Sequence, residues 1–113
     1  MSAQDFLSLS PEILRCAVLD DAGRILNYAE SEKGKEAKLP SNFMVTVRAL
    51  TIQGLSDSLP AELGKIKYTM VVSDKYRLLT IPISGRLFMF ALPLSADPDS
   101  ICDAALRKFG SKK

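Results

Sequence analysis

The sequence predicts an α+β domain: a single five-stranded antiparallel sheet in spatial order 2-1-5-4-3, with helices on both faces. Three observations carry this. The stretch from Lys65 to Leu94 reads as three strands joined by two tight turns. Two runs, Ile13–Leu19 and Leu87–Leu94, are apolar on both sides of an alternating pattern, which places them side by side at the centre of a covered sheet. Helical patterns precede and follow these strands, in the order (α)–β–β–α–β–β–β–α.

The meander fixes its own register. With Asp74-Lys75 as a two-residue turn, Val72 lies opposite Arg77, Met70 opposite Leu79, Tyr68 opposite Ile81 and Ile66 opposite Ile83. That gives one strongly apolar face, and a one-residue slip would mix the two faces. With Ser84-Gly85 at the second tip, Ile81 meets Phe88, Leu79 meets Phe90 and Arg77 meets Leu92. Lys65 and Lys67 suit an edge strand, where lysines discourage stray pairing. Pro82 and Pro93 belong at strand ends or bulges, because proline cannot donate to the ladder.

In chain order, Ser2–Leu9 is expected as a short helix anchored by Phe6 and Leu9, ended around Pro11. In the strand Ile13–Leu19, Leu14, Cys16 and Val18 share one face, and Ile13, Ala17 and Leu19 the other. Asp20-Asp21-Ala22-Gly23 is a turn, with Gly23 available for a positive φ, and Arg24–Glu30 a more polar edge strand. Ser31–Lys38, with alternating charges, reads as a solvated connection. Its Gly-Lys pair lacks the spacing of a phosphate-binding loop. Ser41 or Asn42 caps a long helix running to about Ser58, apolar over much of its circumference, which requires cover on more than one side. Asp97-Pro98 starts the last helix, with Ile101, Ala104, Ala105 and Phe109 as its packing face and Gly110 as its stop. The long helix is assigned to the face carrying Tyr68, Met70, Leu79, Ile81, Phe88 and Phe90. The terminal helices are assigned to the face carrying Val71, Leu78, Leu87 and Met89.

At 113 residues the chain is expected to be one domain, 1–113. A chain of this size buries roughly 65% of its unfolded surface, enough for a core without metals or disulfides. With 15 basic and 13 acidic residues, the net charge of +2 is too balanced to indicate nucleic acid or an anionic membrane as partner. No signal peptide and no apolar run of about 18 residues is visible, so the expectation is a cytoplasmic protein without a membrane span. Cys16 and Cys102 lack CxxC spacing and read as two buried thiols of a reducing compartment. There is no histidine, the usual general base. No Ser–Lys or paired-carboxylate constellation stands out, and Asp20 and Asp21 suit a turn better than a metal. The expectation is a non-enzymatic protein with no cofactor.

The stretches PEILRCAVLDDAGRIL (Pro11–Leu26) and GKIKYTMVVSDKYRLLTIPI (Gly64–Ile83), with the final helix, resemble the roadblock/LC7 domains and their longin and profilin-like relatives. The nearest likeness is to small, functionally uncharacterised archaeal proteins of roadblock-like type. The resemblance implies a scaffold: a homodimer formed through the long helix and the edge of the third strand, serving as a platform for a small GTPase or another signalling partner. Carried onto this chain, it marks Met44, Thr51, Ile52 and Leu55 on the helix and Lys65, Lys67, Thr69 and Val71 on the edge. The element order also overlaps PAS domains. The alternative is therefore a PAS-like small-ligand sensor, with Tyr68, Thr80 and Cys16 as candidate pocket residues.

Overall fold

The structure is a computed structural model that describes residues 5, 7–20, 22, 24–37, 60–64 and 66–110. Its sheet contains β1 (Arg15–Leu19), β2 (Ile25–Glu30), β3 (Thr69–Val72), β4 (Tyr76–Ile83) and β5 (Arg86–Pro93). All pairings are antiparallel, and the order is β2-β1-β5-β4-β3, as the distribution of apolar residues predicts. β1 and β5 lie at the centre, with nearly every residue buried. The expected long helix, together with Phe6, Asp21, Gly23 and Lys65, lies outside the described residues.

The meander has the predicted register: Val72 opposite Arg77, Met70 opposite Leu79, Ile81 opposite Phe88 and Leu79 opposite Phe90. Its first turn is closed by Ser73, whose N–H donates to the Tyr76 carbonyl at 2.9 Å and whose Oγ accepts from the N–H of Tyr76 at 3.1 Å. At the second, Ser84 and Gly85 both take positive φ, 51° and 79°. That pair of angles is the primed turn whose twist matches a hairpin.

β3 is shorter than expected. It begins at Thr69, so the pairs Tyr68–Ile81 and Ile66–Ile83 do not form. The reason lies in β4. Antiparallel partners alternate between hydrogen-bonded and non-bonded pairs, and Ser73–Tyr76 is a bonded pair. Val71–Leu78 and Thr69–Thr80 are therefore bonded, and the next bonded pair would be Lys67–Pro82. Proline has no N–H to give, so the ladder stops one pair earlier.

Three further expectations are corrected. First, Ser31–Lys38 is not merely a solvated connection: Glu32–Ala37 forms helix α1. Ser31 caps it, its Oγ accepting from the N–H of Gly34 at 3.1 Å and donating to the Leu14 carbonyl at 3.1 Å. Gly34 is buried against that carbonyl, and a Cβ there would collide with it. Second, Ile13 packs with Cys16 and Val18 rather than with Ala17 and Leu19. It precedes the strand, in a turn where its N–H donates to Ser10, so strand alternation does not govern it.

Third, the terminal segments occupy the face assigned to the long helix. Helix α2 (Pro98–Ala105) buries Ile101, Cys102 and Ala105 in one cluster with Cys16, Leu79, Ile81, Phe88 and Phe90, and Leu7 and Leu9 pack against it. This face is the front of the sheet; Ala17, Leu19, Leu87 and Met89 form the buried cluster on the back. Arg77 explains the placement. Its side chain lies on the front, opposite Leu92, and Nη1 donates to the Ala96 carbonyl at 3.0 Å, holding the exit from β5 on that side. Asp97 then caps α2 as expected, Oδ1 accepting from the N–H of Asp99 and Oδ2 from the Ser100 hydroxyl. Beyond α2 the chain continues as a π-helical turn, Leu106–Gly110, and Phe109 reaches the Phe88 ring at 6.1 Å.

Candidate interaction surface

One row of side chains crosses all five strands on the back of the sheet: Glu30, Arg15, Ala91, Leu78 and Val71. At the β2 end the row is polar and enclosed. Arg15 Nη2 lies 2.8 Å from Glu30 Oε2, and the guanidinium sits over the Tyr28 ring at 5.5 Å. At the β3 end it is aliphatic and open: Leu78 is 38% exposed and Val71 45%. Val72, next along the edge on the front, is 56% exposed. The small side chain of Ala91 separates the two ends.

β3 is the last strand of the order, so one side of its backbone has no neighbouring strand among the described residues. The alternation derived above sets what it offers there. Thr69 and Val71 direct their N–H and C=O groups to β4, whereas Met70 and Val72 direct theirs outward. An open edge flanked by exposed aliphatic side chains is a template for another strand.

Of the residues marked from sequence, Met44, Thr51, Ile52, Leu55 and Lys65 lie outside the described residues. Val71 stands at the edge as expected. Thr69 is on the edge strand, but its hydroxyl oxygen is buried and has no hydrogen-bond partner among the described residues. Lys67 departs from the expected row: it precedes the strand, and its ammonium lies 3.5 Å from Asp103 on α2. Tyr68 turns the same way, its hydroxyl donating to Asp99 Oδ1 at 2.5 Å. That hydrogen bond to a carboxylate, with lesser burial, raises the Tyr68 pKa above its ordinary value. Lys67 and Tyr68 are thus clasped to α2 instead of continuing β3. Val72 and Leu78 were not marked. Leu78 was legible as the cross-strand partner of Val71, but the misassigned helix hid its exposure.

Other chemistry is sparse. Cys16 and Cys102 are buried thiols in one cluster, and burial pushes the Cys16 pKa up to about 12, far from a reactive thiolate. Asp20 serves its turn, accepting from the N–H groups of Ala22 and Arg24 and from the Arg24 side chain, and these bonds hold its pKa low. Tyr68, Cys16 and Thr80 do not converge on a pocket, because Thr80 is on the opposite face of β4 from Leu79 and Ile81. Among the described residues, no group of His, Cys, Asp or Glu side chains is arranged to hold a metal, and no helix is long and apolar enough to cross a membrane.

The architecture has close counterparts among solved structures. A roadblock/LC7 domain from Streptomyces avermitilis superposes with a TM-score of 0.65 at 12% identity, covering 95% of this chain and 92% of that one. The fold is roadblock/LC7-like. An MglB with a tetrameric arrangement matches at TM-score 0.65 and 13% identity, over 93% of this chain and 77% of its own. Profilin IB of Acanthamoeba castellanii matches at a TM-score of 0.56 and 11% identity, over 94% of this chain and 89% of that one, so its fold is similar as well. No protein-family model and no curated protein matches the chain. At these identities the likeness speaks for the fold alone.

Proposed function

We propose that this chain is a single roadblock-like domain, residues 1–113, that acts in the cytoplasm as a non-enzymatic docking module. It pairs with a second copy of itself through the β3 edge, and the pair presents a platform to a protein partner, a small GTPase being the partner class that the roadblock likeness suggests. The observation that carries this reading is the open β3 edge with its exposed Val71, Val72 and Leu78. A tetrameric arrangement in an MglB of the same fold supports self-association as a property this architecture can accommodate.

Burying those aliphatic side chains contributes roughly 25 cal/mol for each Å² removed from water, before association costs. Sedimentation velocity across a micromolar dilution series tests the reading. A dimer that dissociates on dilution is expected, and Val71→Asp shifts it to monomer while leaving the far-UV circular dichroism unchanged. A wild-type chain that stays monomeric at high micromolar concentration overturns it.

A further inference from the structure

The two outer strands end the sheet differently, and Asn27 on β2 makes the difference. We infer that Asn27 is an edge guard: its side chain occupies the outward N–H of Tyr28 and so keeps a strand of a second copy from adding to β2. The inference concerns the edge opposite β3 and stands whether or not β3 pairs.

Backbone direction comes first. The Ser31 N–H donates to the Leu14 carbonyl at 2.9 Å, one step beyond the Arg15–Glu30 pair. Bonded pairs alternate with non-bonded ones, so Cys16–Ala29 and Val18–Asn27 are bonded and Ala17–Tyr28 is not. The backbone groups of Tyr28 therefore point away from β1, to the side where β2 has no neighbouring strand among the described residues. An outward N–H flanked by exposed apolar side chains invites another strand. Such side chains are present, since Ile25 is 36% exposed and Leu26 49%. Yet the Tyr28 N–H is already engaged, donating to Asn27 Oδ1 at 2.9 Å. An incoming strand would break that bond before making its own, an exchange with no net gain in hydrogen bonding.

Both flanks of Tyr28 reinforce the guard. Toward Ile25 the register slips: Val18 lies opposite Asn27 and Leu19 opposite Ile25, so Leu26 is an extra residue, a bulge that bends the edge. Toward Glu30 the strand runs directly into α1, where Ser31 forms the cap and Gly34 approaches the Glu30 side chain. β3, by contrast, keeps an unbroken register from Thr69 to Val72. The residue type at position 27 fits the same account. Asparagine is a poor strand former, and Asn27 pairs with the buried Val18, where a β-branched side chain would suit the strand better. Its bond to the Tyr28 N–H is what a β-branched aliphatic side chain could not supply.

Three variants of the full chain test this. Asn27→Val removes the acceptor and favours the strand. It should keep the far-UV circular dichroism and thermal midpoint of the wild type while at least doubling the weight-average mass in sedimentation at the same concentration, because a β2 contact between identical surfaces joins two copies. Asn27→Ala repeats the comparison with a smaller side chain, should valine disturb the packing. Asn27→Asp keeps an acceptor oxygen and should sediment as the wild type does. Amide hydrogen exchange in dilute solution checks the bond itself: the Tyr28 amide should be slowed in the wild type and in Asn27→Asp, and freed in Asn27→Ala. A Tyr28 amide that exchanges equally fast in all of them, or Asn27→Val and Asn27→Ala chains of wild-type mass, would overturn the guard. A monomeric wild type beside an associating Asn27→Val would overturn the β3 reading and support this one.

Discussion

β5 and β3 belong to the same sheet and are both mainly apolar, yet they live in different solvents. Six of the eight residues of β5 are buried, with Leu87, Met89 and Ala91 on one side and Phe88, Phe90 and Leu92 on the other. β3 is a run of Thr, Met, Val and Val in which both valines are exposed. The difference is not composition but neighbours. β5 has a strand on each flank and buried clusters on both faces, whereas β3 has one neighbouring strand among the described residues and, on the front, a clasp that reaches α2 from residues just outside the ladder. Apolar character predicts burial only where the fold supplies a surface to be buried against.

That contrast can be broken from either side. The largest effect is expected at Leu79, which is fully buried on the front beside Phe90. Leu79→Asp places an unpaired carboxylate there and should cost more than about 4 kcal/mol in urea denaturation, or prevent folding. A loss below that would mean the front is not sealed. Next comes Gly34→Ala, whose new methyl would press on the backbone carbonyl of Leu14 and on the Glu30 side chain. The expected loss is about 1–3 kcal/mol, with the amides of β1 exchanging faster in hydrogen-exchange measurements.

The rim of the front face should respond more modestly, and with pH. The Ser100 hydroxyl and the Asp99 N–H stabilise the Asp97 carboxylate and lower its pKa. A lowered folded pKa means that the stabilisation is present above the unfolded value, near 3.9, and is lost as pH falls through the folded one. Asp97→Ala should therefore lower the thermal midpoint at pH 7, and the gap to wild type should close under acid. A gap that persists at the acid end would show that the charge is not what Asp97 contributes. The smallest effect belongs to Lys67→Asp. Both partners of its ion pair with Asp103 are more than half exposed, so stability should change by about 0.5 kcal/mol or less. A loss comparable with that of Leu79→Asp would erase the distinction between centre and edge.

Much of this was legible in the residues. Asp74-Lys75 and Ser84-Gly85 fixed both hairpins, because a turn is a contest among a few adjacent backbone angles. Asp97-Pro98 announced its helix for the same reason. The cap on α1 was present as Ser31 followed by Gly34, but the alternating charges around it masked the signal. The candidate edge was half readable: Val71 followed from alternation, whereas Lys67 and Tyr68 were misplaced because their partners, Asp103 and Asp99, are over thirty positions away.

Alternation, turn chemistry and the two runs without a polar side determined the strands, their order and their register, since each depends on residues close in sequence or on the count of apolar faces. Which face the terminal helices cover, and where β3 stops, were decided only in three dimensions. Two apolar faces look alike to a helix until something distant marks one of them, and here the marks are a guanidinium reaching the Ala96 carbonyl and a proline with no hydrogen to give.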